Sequence, residues 1–204
     1  MTTTPQTPRP RIQGLSDLIF GLALSIGAVQ FIGNLPPDPS TLWHDLLYFG
    51  FSFLILISVW NRYTSTTSVM PIETPVLVRL NMLLLFMVAI EPFLLDVLFV
   101  KGLGTDVGNA ASVYYGLDIG GMNLVLAYFT HILASEEKKL VPRELISRYK
   151  TTRNLLIVGA SFFLISDLPV FWGISVGELD LRVVIWLLTI PAFWTQRIIE
   201  SRFR

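Results

Sequence analysis

Six long apolar stretches, separated by short turn-like or charged segments, constrain the fold of this chain more than any other feature. A helix needs about 20 mainly apolar residues to cross the hydrocarbon core of a bilayer. The predicted spans are 15–35, 42–60, 76–100, 113–133, 155–172 and 181–194. Only 15% of the residues are charged, whereas a soluble domain carries about 25%. The sequence therefore predicts an all-α polytopic membrane protein with six transmembrane helices.

The positions of the basic residues predict how these helices are oriented. An even number of spans places both termini on one side of the membrane. All of the 15 lysines and arginines except Lys101 and Arg182 fall on that side. Cytoplasmic loops carry the excess of basic residues in membrane proteins, so we expect both termini in the cytoplasm. Residues 1–10, rich in Thr and Pro, are predicted to form a disordered tail before a transmembrane domain over residues 11–204.

Composition and motifs argue against several other classes of protein. The chain has no cysteine, and its two histidines, His44 and His131, are far apart in sequence. No serine stands in a nucleophile elbow, and no glycine-rich phosphate loop follows a strand. The formal net charge is zero, which does not suit a nucleic-acid-binding protein. We therefore expect no enzyme activity, no metal site, no cofactor and no nucleic-acid partner.

The start of the first span carries the most informative motif of the chain. Arg11 is followed, after a short gap and the bulky Leu15, by Ser16 and Asp17, and an apolar helix continues to Phe31. Judged on chemistry alone, Ser16 or Asp17 can cap the first turn of a helix, and Asp17 can pair with Arg11. These residues alone predict a helix start and no particular function.

The same segment resembles the signature of the transmembrane protein 175 family of potassium channels, in which Arg-x-x-x-Phe-Ser-Asp opens the first helix. Arg11, Ser16 and Asp17 match this signature, and Leu15 replaces the phenylalanine. Trp60 at the end of the second span and Asn81 early in the third are also similar to the family pattern. The resemblance implies that these five matching residues hold the first helix in place.

The chain departs from the family pattern at the end of the second span. The family has histidines just after the tryptophan, whereas this chain has Asn61, Arg62 and Tyr63. Farther along, Glu91-Pro92-Phe93 is similar to a Leu-Pro-Phe ending of the third helix. A contact network that depends on the missing histidine is therefore not expected here.

The resemblance also implies a function and an assembly. Single-repeat, prokaryotic members of the family form homotetramers around one pore, which the first helix lines. The expected function is a potassium-selective leak-type channel in the plasma membrane of a prokaryote, with the potassium ion as permeant and the lipid bilayer and identical subunits as partners. No Thr-Val-Gly-Tyr-Gly filter sequence occurs in the chain, which agrees with a pore that lacks a carbonyl filter.

Distance from the motif aspartate places the pore residues of the family at Leu22, Ser25, Ile26 and Val29. Their spacing puts all four on one face of a helix. Four copies of Leu22, Ile26 and Val29 would form an apolar constriction that gates by losing water, and Ser25 would contribute to selectivity. Two alternatives remain: the apolar stripe packs against helices or lipid, and the Ser25 hydroxyl bonds to a backbone carbonyl near Gly21.

Three carboxylates in the apolar spans support a rival function. Glu91, Asp118 and Asp167 are each flanked by apolar residues, and intramembrane carboxylates are often functional. They could relay protons in a proton-coupled secondary transporter, or they could be polar contacts between helices. A membrane scaffold without transport is a third class, for which the sequence offers no positive feature.

Overall fold

The computed structural model describes residues 11–33, 36–70, 74–136, 140–177 and 179–189, which form a bundle of helices. These ranges contain six α-helices: α1 Arg11–Gly33, α2 Pro39–Thr67, α3 Pro75–Lys101, α4 Asp106–Leu133, α5 Arg143–Ser166 and α6 Leu181–Leu187. The predicted all-α fold with six helices is confirmed. Helical segments Ile12–Val29, Pro39–Thr67 and Pro75–Leu98 are long and apolar enough to cross a membrane by themselves.

Short polar side chains fix where four of the helices begin. The side chains of Asp38, Thr74, Thr105 and Asp180 each accept a hydrogen bond from a backbone N–H in the first turn of the helix that follows. Such caps satisfy N–H groups that have no partner within the helix. Two hydrogen bonds from Thr41 lower the pKa of Asp38 below its usual value. The bond from the backbone amide has the larger effect and the bond from the hydroxyl the smaller. The turn-like segments of the sequence therefore set the helix starts.

The fifth helix differs from its predicted span at both ends. It begins at Arg143, inside the charged segment before the predicted span, and it ends at Ser166 instead of residue 172. The early end follows from Pro169, because Leu168 before it adopts an extended conformation and a short 3₁₀-helix, Pro169–Phe171, replaces the α-helix. Pro92, in contrast, lies inside α3, which continues past it to Lys101.

The segment before α6 forms a small antiparallel hairpin of strands β1, Ser175–Val176, and β2, Leu179–Asp180. The sequence predicts only a short connection there. The helix that follows is described from Leu181 to Leu187, so residues 190–194 of the predicted sixth span lie outside the described residues.

Helix α4 is the centre of the bundle and packs against α3, α5 and α2. Its glycines allow the close approach. A Cβ at Gly116 would collide with the carboxylate of Asp167, and one at Gly121 would lie 2.6 Å from Cε of Met87. Small residues are what brings helices together in membranes, where the hydrophobic effect between helices is absent.

Helix α1 lies at the periphery and packs against α2 and α3. Phe20 and Ala23 are buried in these contacts. Between Ile12 and Val29, the exposed residues of α1 are glycines or apolar residues, with the exception of Ser25. This position leaves one complete face of α1 available to lipid or to another protein chain.

Candidate functional site

The start of α1 is fixed to α2 and α3 by hydrogen bonds that converge on Ser16. The hydroxyl of Tyr63 donates to Ser16 Oγ at 2.7 Å, and Asn81 Nδ2 lies 3.5 Å from the same oxygen. Ser16 Oγ in turn donates to the carbonyl of Ile12 at 2.8 Å. Ser16, Tyr63 and Asn81 are all fully buried. A hydrogen bond in such a dry environment defines one position of α1 relative to its neighbours.

Asp17, the residue after Ser16, also contacts α2. Its Oδ1 accepts a hydrogen bond of 3.2 Å from Nε1 of Trp60. This hydrogen bond joins two of the residues that match the family pattern, one on α1 and one on α2. The side chain of Arg11 lies outside the described part of the structure, so the ion pair between Arg11 and Asp17 stays a prediction.

The capping role proposed for Ser16 and Asp17 on chemistry alone is wrong. Helix α1 already includes Arg11, so both residues lie in its second turn, where backbone N–H groups have partners within the helix. Their side chains are instead used between helices.

Tyr63 is the residue of this cluster that sequence reasoning missed. It stood out only as a departure from the family pattern. The spacing of Tyr63 from Trp60 could have indicated a contact with α1, because Trp60, Tyr63 and Thr67 share one face of α2. All three contact the start of α1, Thr67 through its carbonyl, which accepts from Gln13 Nε2 at 2.8 Å. The tyrosine hydroxyl thus reaches the motif serine without any histidine.

The four predicted pore residues lie together on the uncovered face of α1. Leu22, Ile26 and Val29 are 57%, 41% and 57% exposed in the single chain. Ser25 is also exposed, and its hydroxyl donates to the carbonyl of Gly21 at 2.8 Å. This is the backbone hydrogen bond that was the alternative role for the Ser25 hydroxyl.

Glu91 joins three helices in the middle of the bundle. Ser52 Oγ on α2 lies 2.8 Å and 2.9 Å from its two carboxylate oxygens, and the hydroxyl of Tyr115 on α4 donates to Oε1 at 3.3 Å. Asp118, one helical turn beyond Tyr115, is also buried, and its Oδ2 has no hydrogen-bond partner among the described residues. Asp118 interacts electrostatically with Glu91, so the two carboxyl groups belong to one polar cluster.

Asp167 does not join this cluster. It caps the C-terminal end of α5 and lies against Gly116 on another side of α4. Its charged neighbour is Arg182, which is itself fully buried. The structure therefore does not arrange Glu91, Asp118 and Asp167 as a single proton relay.

Arg182 is a second residue whose role the sequence did not indicate. Its guanidinium donates to Asp180 on the hairpin and to Ser112 and Asn109 on α4, at 2.7–3.1 Å. It also lies 5.6 Å from the centre of the Trp172 ring. Arginine can fill several acceptors at once, and here it fixes the hairpin and α6 to the start of α4.

The described residues contain no group of three or more His, Asp and Glu side chains that could hold a metal ion. Their two notable features are an uncovered apolar face of α1 with one hydroxyl, and a polar cluster that fixes the start of the same helix. Such a face can line an ion pathway if copies of it meet around an axis.

A protein-family model described as the endosomal/lysosomal potassium channel TMEM175 matches residues 11–92. This range covers α1, α2 and most of α3, and it includes every residue of the motif cluster. The expected resemblance to that family is confirmed over this part of the chain. The matched family is one of ion channels and not of enzymes. No curated protein is detectably similar in sequence.

Two solved structures share the fold over nearly the whole chain. One is the crystal structure of a lysosomal potassium-selective channel TMEM175 homolog from Chamaesiphon minutus, with 19% identity and a TM-score of 0.61, covering 91% of this chain and 96% of that one. The other is the potassium channel MtTMEM175, crystallised as a variant with a nanobody fusion. It has 20% identity and a TM-score of 0.62, and covers 99% of this chain and 100% of that one. At such identities the similarity establishes the fold.

Proposed function

We propose that this chain is the subunit of a potassium-selective leak-type channel of the TMEM175 family, a homotetramer whose pore is lined by α1. The observation that carries the proposal is the uncovered face of α1, which holds Leu22, Ser25, Ile26 and Val29. The family match over residues 11–92 supports it, because that range contains both this face and the contacts that orient it. The relatives named above are potassium channels of the same fold.

Four copies of α1 around an axis would bring three rings of apolar side chains together. Leu22, Ile26 and Val29 are separated by four and three residues, so successive rings are about 4.5–6 Å apart along the helix. Such a constriction conducts only when it is wide enough to hold water, which makes it a hydrophobic gate. Gly21 and Ala28, exposed beside this stripe, would permit neighbouring α1 helices to approach closely.

Ser25 would supply the oxygen in this otherwise apolar face. Its hydroxyl proton is directed to the carbonyl of Gly21, so the lone pairs of Oγ are left for another partner. Four such oxygens could replace part of the hydration shell of a dehydrated cation. The backbone hydrogen bond is therefore compatible with a selectivity role, because it orients the oxygen as an acceptor.

The cluster of Ser16, Tyr63 and Asn81, together with Asp17 and Trp60, would keep α1 at a constant angle to the rest of the subunit. A pore formed by one helix per subunit depends on that angle, since a small rotation would turn Ser25 away from the axis. We assign these residues to positioning the helix and not to coordinating the ion. We assign this end of α1 to the cytoplasmic side of the membrane, because the basic residues concentrate in the segments predicted on that side.

Potassium flux through liposomes containing the purified protein tests the proposal. Vesicles loaded with K⁺ and diluted into Na⁺ should develop an inside-negative potential, reported by a voltage-sensitive dye, with no pH gradient present. A channel needs no proton gradient, so a protonophore must not be required for the potential to form. Empty vesicles and vesicles with valinomycin give the lower and upper limits of the signal. No potential above that of empty vesicles would contradict the proposed activity.

Single cysteines test which residues face the pore, and the natural chain has no cysteine to remove. A water-soluble thiol reagent should reduce the flux through Leu22→Cys, Ile26→Cys and Val29→Cys channels. Phe86→Cys on α3, which is as exposed as these residues in the isolated subunit, is the matched control and should be insensitive. Block of the control but not of the α1 variants would show that α1 does not line the pore.

A proton-coupled transporter is the second candidate, and the unpartnered oxygen of Asp118 next to Glu91 is the observation that favours it. Such a transporter would move its solute only while a proton gradient exists. Vesicles with and without an imposed pH gradient distinguish the two functions, because transport that occurs only when the gradient is imposed indicates coupling.

A further inference from the structure

A groove between α4 and α5 lies at the end of the bundle where α1 begins. It has a volume of about 360 Å³ and is open at the side. Three of its lining residues, Leu124, Tyr128 and Ile157, are each 44% exposed. The groove involves neither α1 nor its uncovered face, so an occupant would not compete with the proposed pore.

The lining of the groove changes from apolar to cationic along the helices. Leu124 and Ile157 lie at the end nearer the middle of the bundle, and His131 and Arg153 lie near the last turn of α4. Residues 124 and 131 are two turns apart, which corresponds to about 10 Å along the helix. The groove therefore has one end suited to a hydrocarbon chain and another end suited to a negative charge.

The cationic end is a preformed pair of nitrogen-bearing side chains. Nη1 of Arg153 lies 3.2 Å from Nδ1 of His131, while Nε and Nη2 of Arg153 donate to Asn154 Oδ1 at 3.1 Å and 2.9 Å. These contacts use three of the five guanidinium N–H groups. Because arginine is always a donor, His131 accepts at Nδ1 and keeps an N–H at Nε2 for another partner. Two N–H groups of the arginine and one of the histidine are thus left over.

The positive charge of Arg153 is not neutralised by the part of the chain that the structure describes. No described carboxylate lies within ion-pair distance of it, whereas the nearby Lys150 pairs with Glu136 at 2.9 Å. A cation that is partly withdrawn from water and has free donors favours an anionic ligand, and the arginine fork matches the oxygens of a phosphate.

We propose that this groove binds one anionic phospholipid, with its phosphate at Arg153 and His131 and an acyl chain along Leu124 and Ile157. Basic pockets between helices at the cytoplasmic side of a membrane bind acidic headgroups by this chemistry. The apolar end of the groove favours a phospholipid over a free phosphate ion, because only the lipid has an acyl chain to fill that end. A zwitterionic headgroup would bring an ammonium close to Arg153 and would bind more weakly.

Native mass spectrometry of the detergent-solubilised full-length protein, titrated with phosphatidylglycerol or with phosphatidylcholine of the same acyl chains, tests the proposal. Phosphatidylglycerol should bind more tightly, and Arg153→Gln should weaken its binding about fivefold, the effect of about 1 kcal/mol for one basic residue. Arg143→Gln removes the same charge from the exposed first turn of α5, outside the groove, and should leave binding unchanged.

A second pair of variants tests the apolar end. Ile157→Trp fills the groove without changing charge and should reduce phosphatidylglycerol binding, whereas Val158→Trp, at an exposed neighbouring position that does not line the groove, should not. Equal loss for Arg153→Gln and Arg143→Gln, or equal binding of the two lipids, would overturn the proposal. So would equal effects of the two tryptophans. The readout is lipid binding, so it does not depend on whether the protein conducts potassium.

Discussion

The hydroxyl of Tyr63 on α2 donates a 2.7 Å hydrogen bond to Oγ of Ser16 on α1, and both side chains are fully buried. The ring of Tyr63 also contacts Phe20, one turn farther along α1, with 5.7 Å between ring centroids. One side chain thus holds α1 by a polar and an apolar contact. Tyr63 lies in a stretch where the transmembrane protein 175 family has histidines. In this chain, a tyrosine hydroxyl and ring therefore hold α1.

Removing the Tyr63 hydroxyl should loosen α1. We expect Tyr63→Phe to lower the stability of the solubilised protein by about 1 kcal/mol, because Ser16 loses a donor while the ring stays in place. Thermal unfolding followed by size-exclusion chromatography measures the change. Tyr114→Phe removes an exposed hydroxyl on α4 and should be neutral. If both variants melt like the wild type, the hydrogen bond does not contribute to holding α1.

Breaking the motif pair should impair assembly more than selectivity. Arg11→Ala or Asp17→Asn leaves a charged partner without its counterpart, which typically costs about 3–5 kcal/mol when the pair is buried. We expect less of the proposed tetramer in size-exclusion profiles, with the ion preference of the remaining channels unchanged. Arg143→Ala, at the exposed start of α5, is the control for loss of a positive charge. Normal tetramers with altered selectivity would assign the motif to the ion pathway.

Ser25→Ala should change ion selectivity without preventing assembly. The substitution removes the oxygen of the proposed pore face and the 2.8 Å bond to Gly21, but it retains a small side chain of good helix propensity. We expect the potassium and sodium permeabilities to become more similar in reversal potentials measured under bi-ionic conditions. Because the backbone bond is within one helix, its loss should have little effect on stability. An unchanged reversal potential in a conducting variant would remove Ser25 from the selectivity assignment.

Glu91 should tolerate an amide better than a truncation. In Glu91→Gln, one end of the side chain can still accept from Tyr115 and the other can pair with Ser52, so we expect a folded protein that conducts potassium. Glu91→Ala leaves both hydroxyls unpaired, each at a cost of about 1–3 kcal/mol, and should reduce the melting temperature clearly. Flux and thermal unfolding of the two variants give the comparison. Loss of flux in well-folded Glu91→Gln would favour the proton-coupled function.

Several features were determined by the sequence itself because their causes are local. Six apolar stretches predicted six helices, and the breaks between them contain the capping side chains of Asp38, Thr74 and Thr105 and the positive-φ glycines Gly102 and Gly104. The spacing of Leu22, Ser25, Ile26 and Val29 placed them on one face. Hydrophobic periodicity and turn chemistry act within a few residues, so they can be read along the chain.

Only the tertiary structure decided which side chains are partners. Ser16 meets Tyr63 from 47 residues away and Asn81 from 65, and Arg182 reaches Ser112 and Asn109 across 70 and 73 residues. No local rule relates such residues, because their distance depends on how α1, α2, α3 and α4 pack. The same packing separates Asp167 from Glu91 and Asp118, although all three look alike in sequence. A buried polar group needs a hydrogen-bond partner. The sequence shows which polar residues lie in apolar segments, but only the packing of the helices determines which residue is the partner of each.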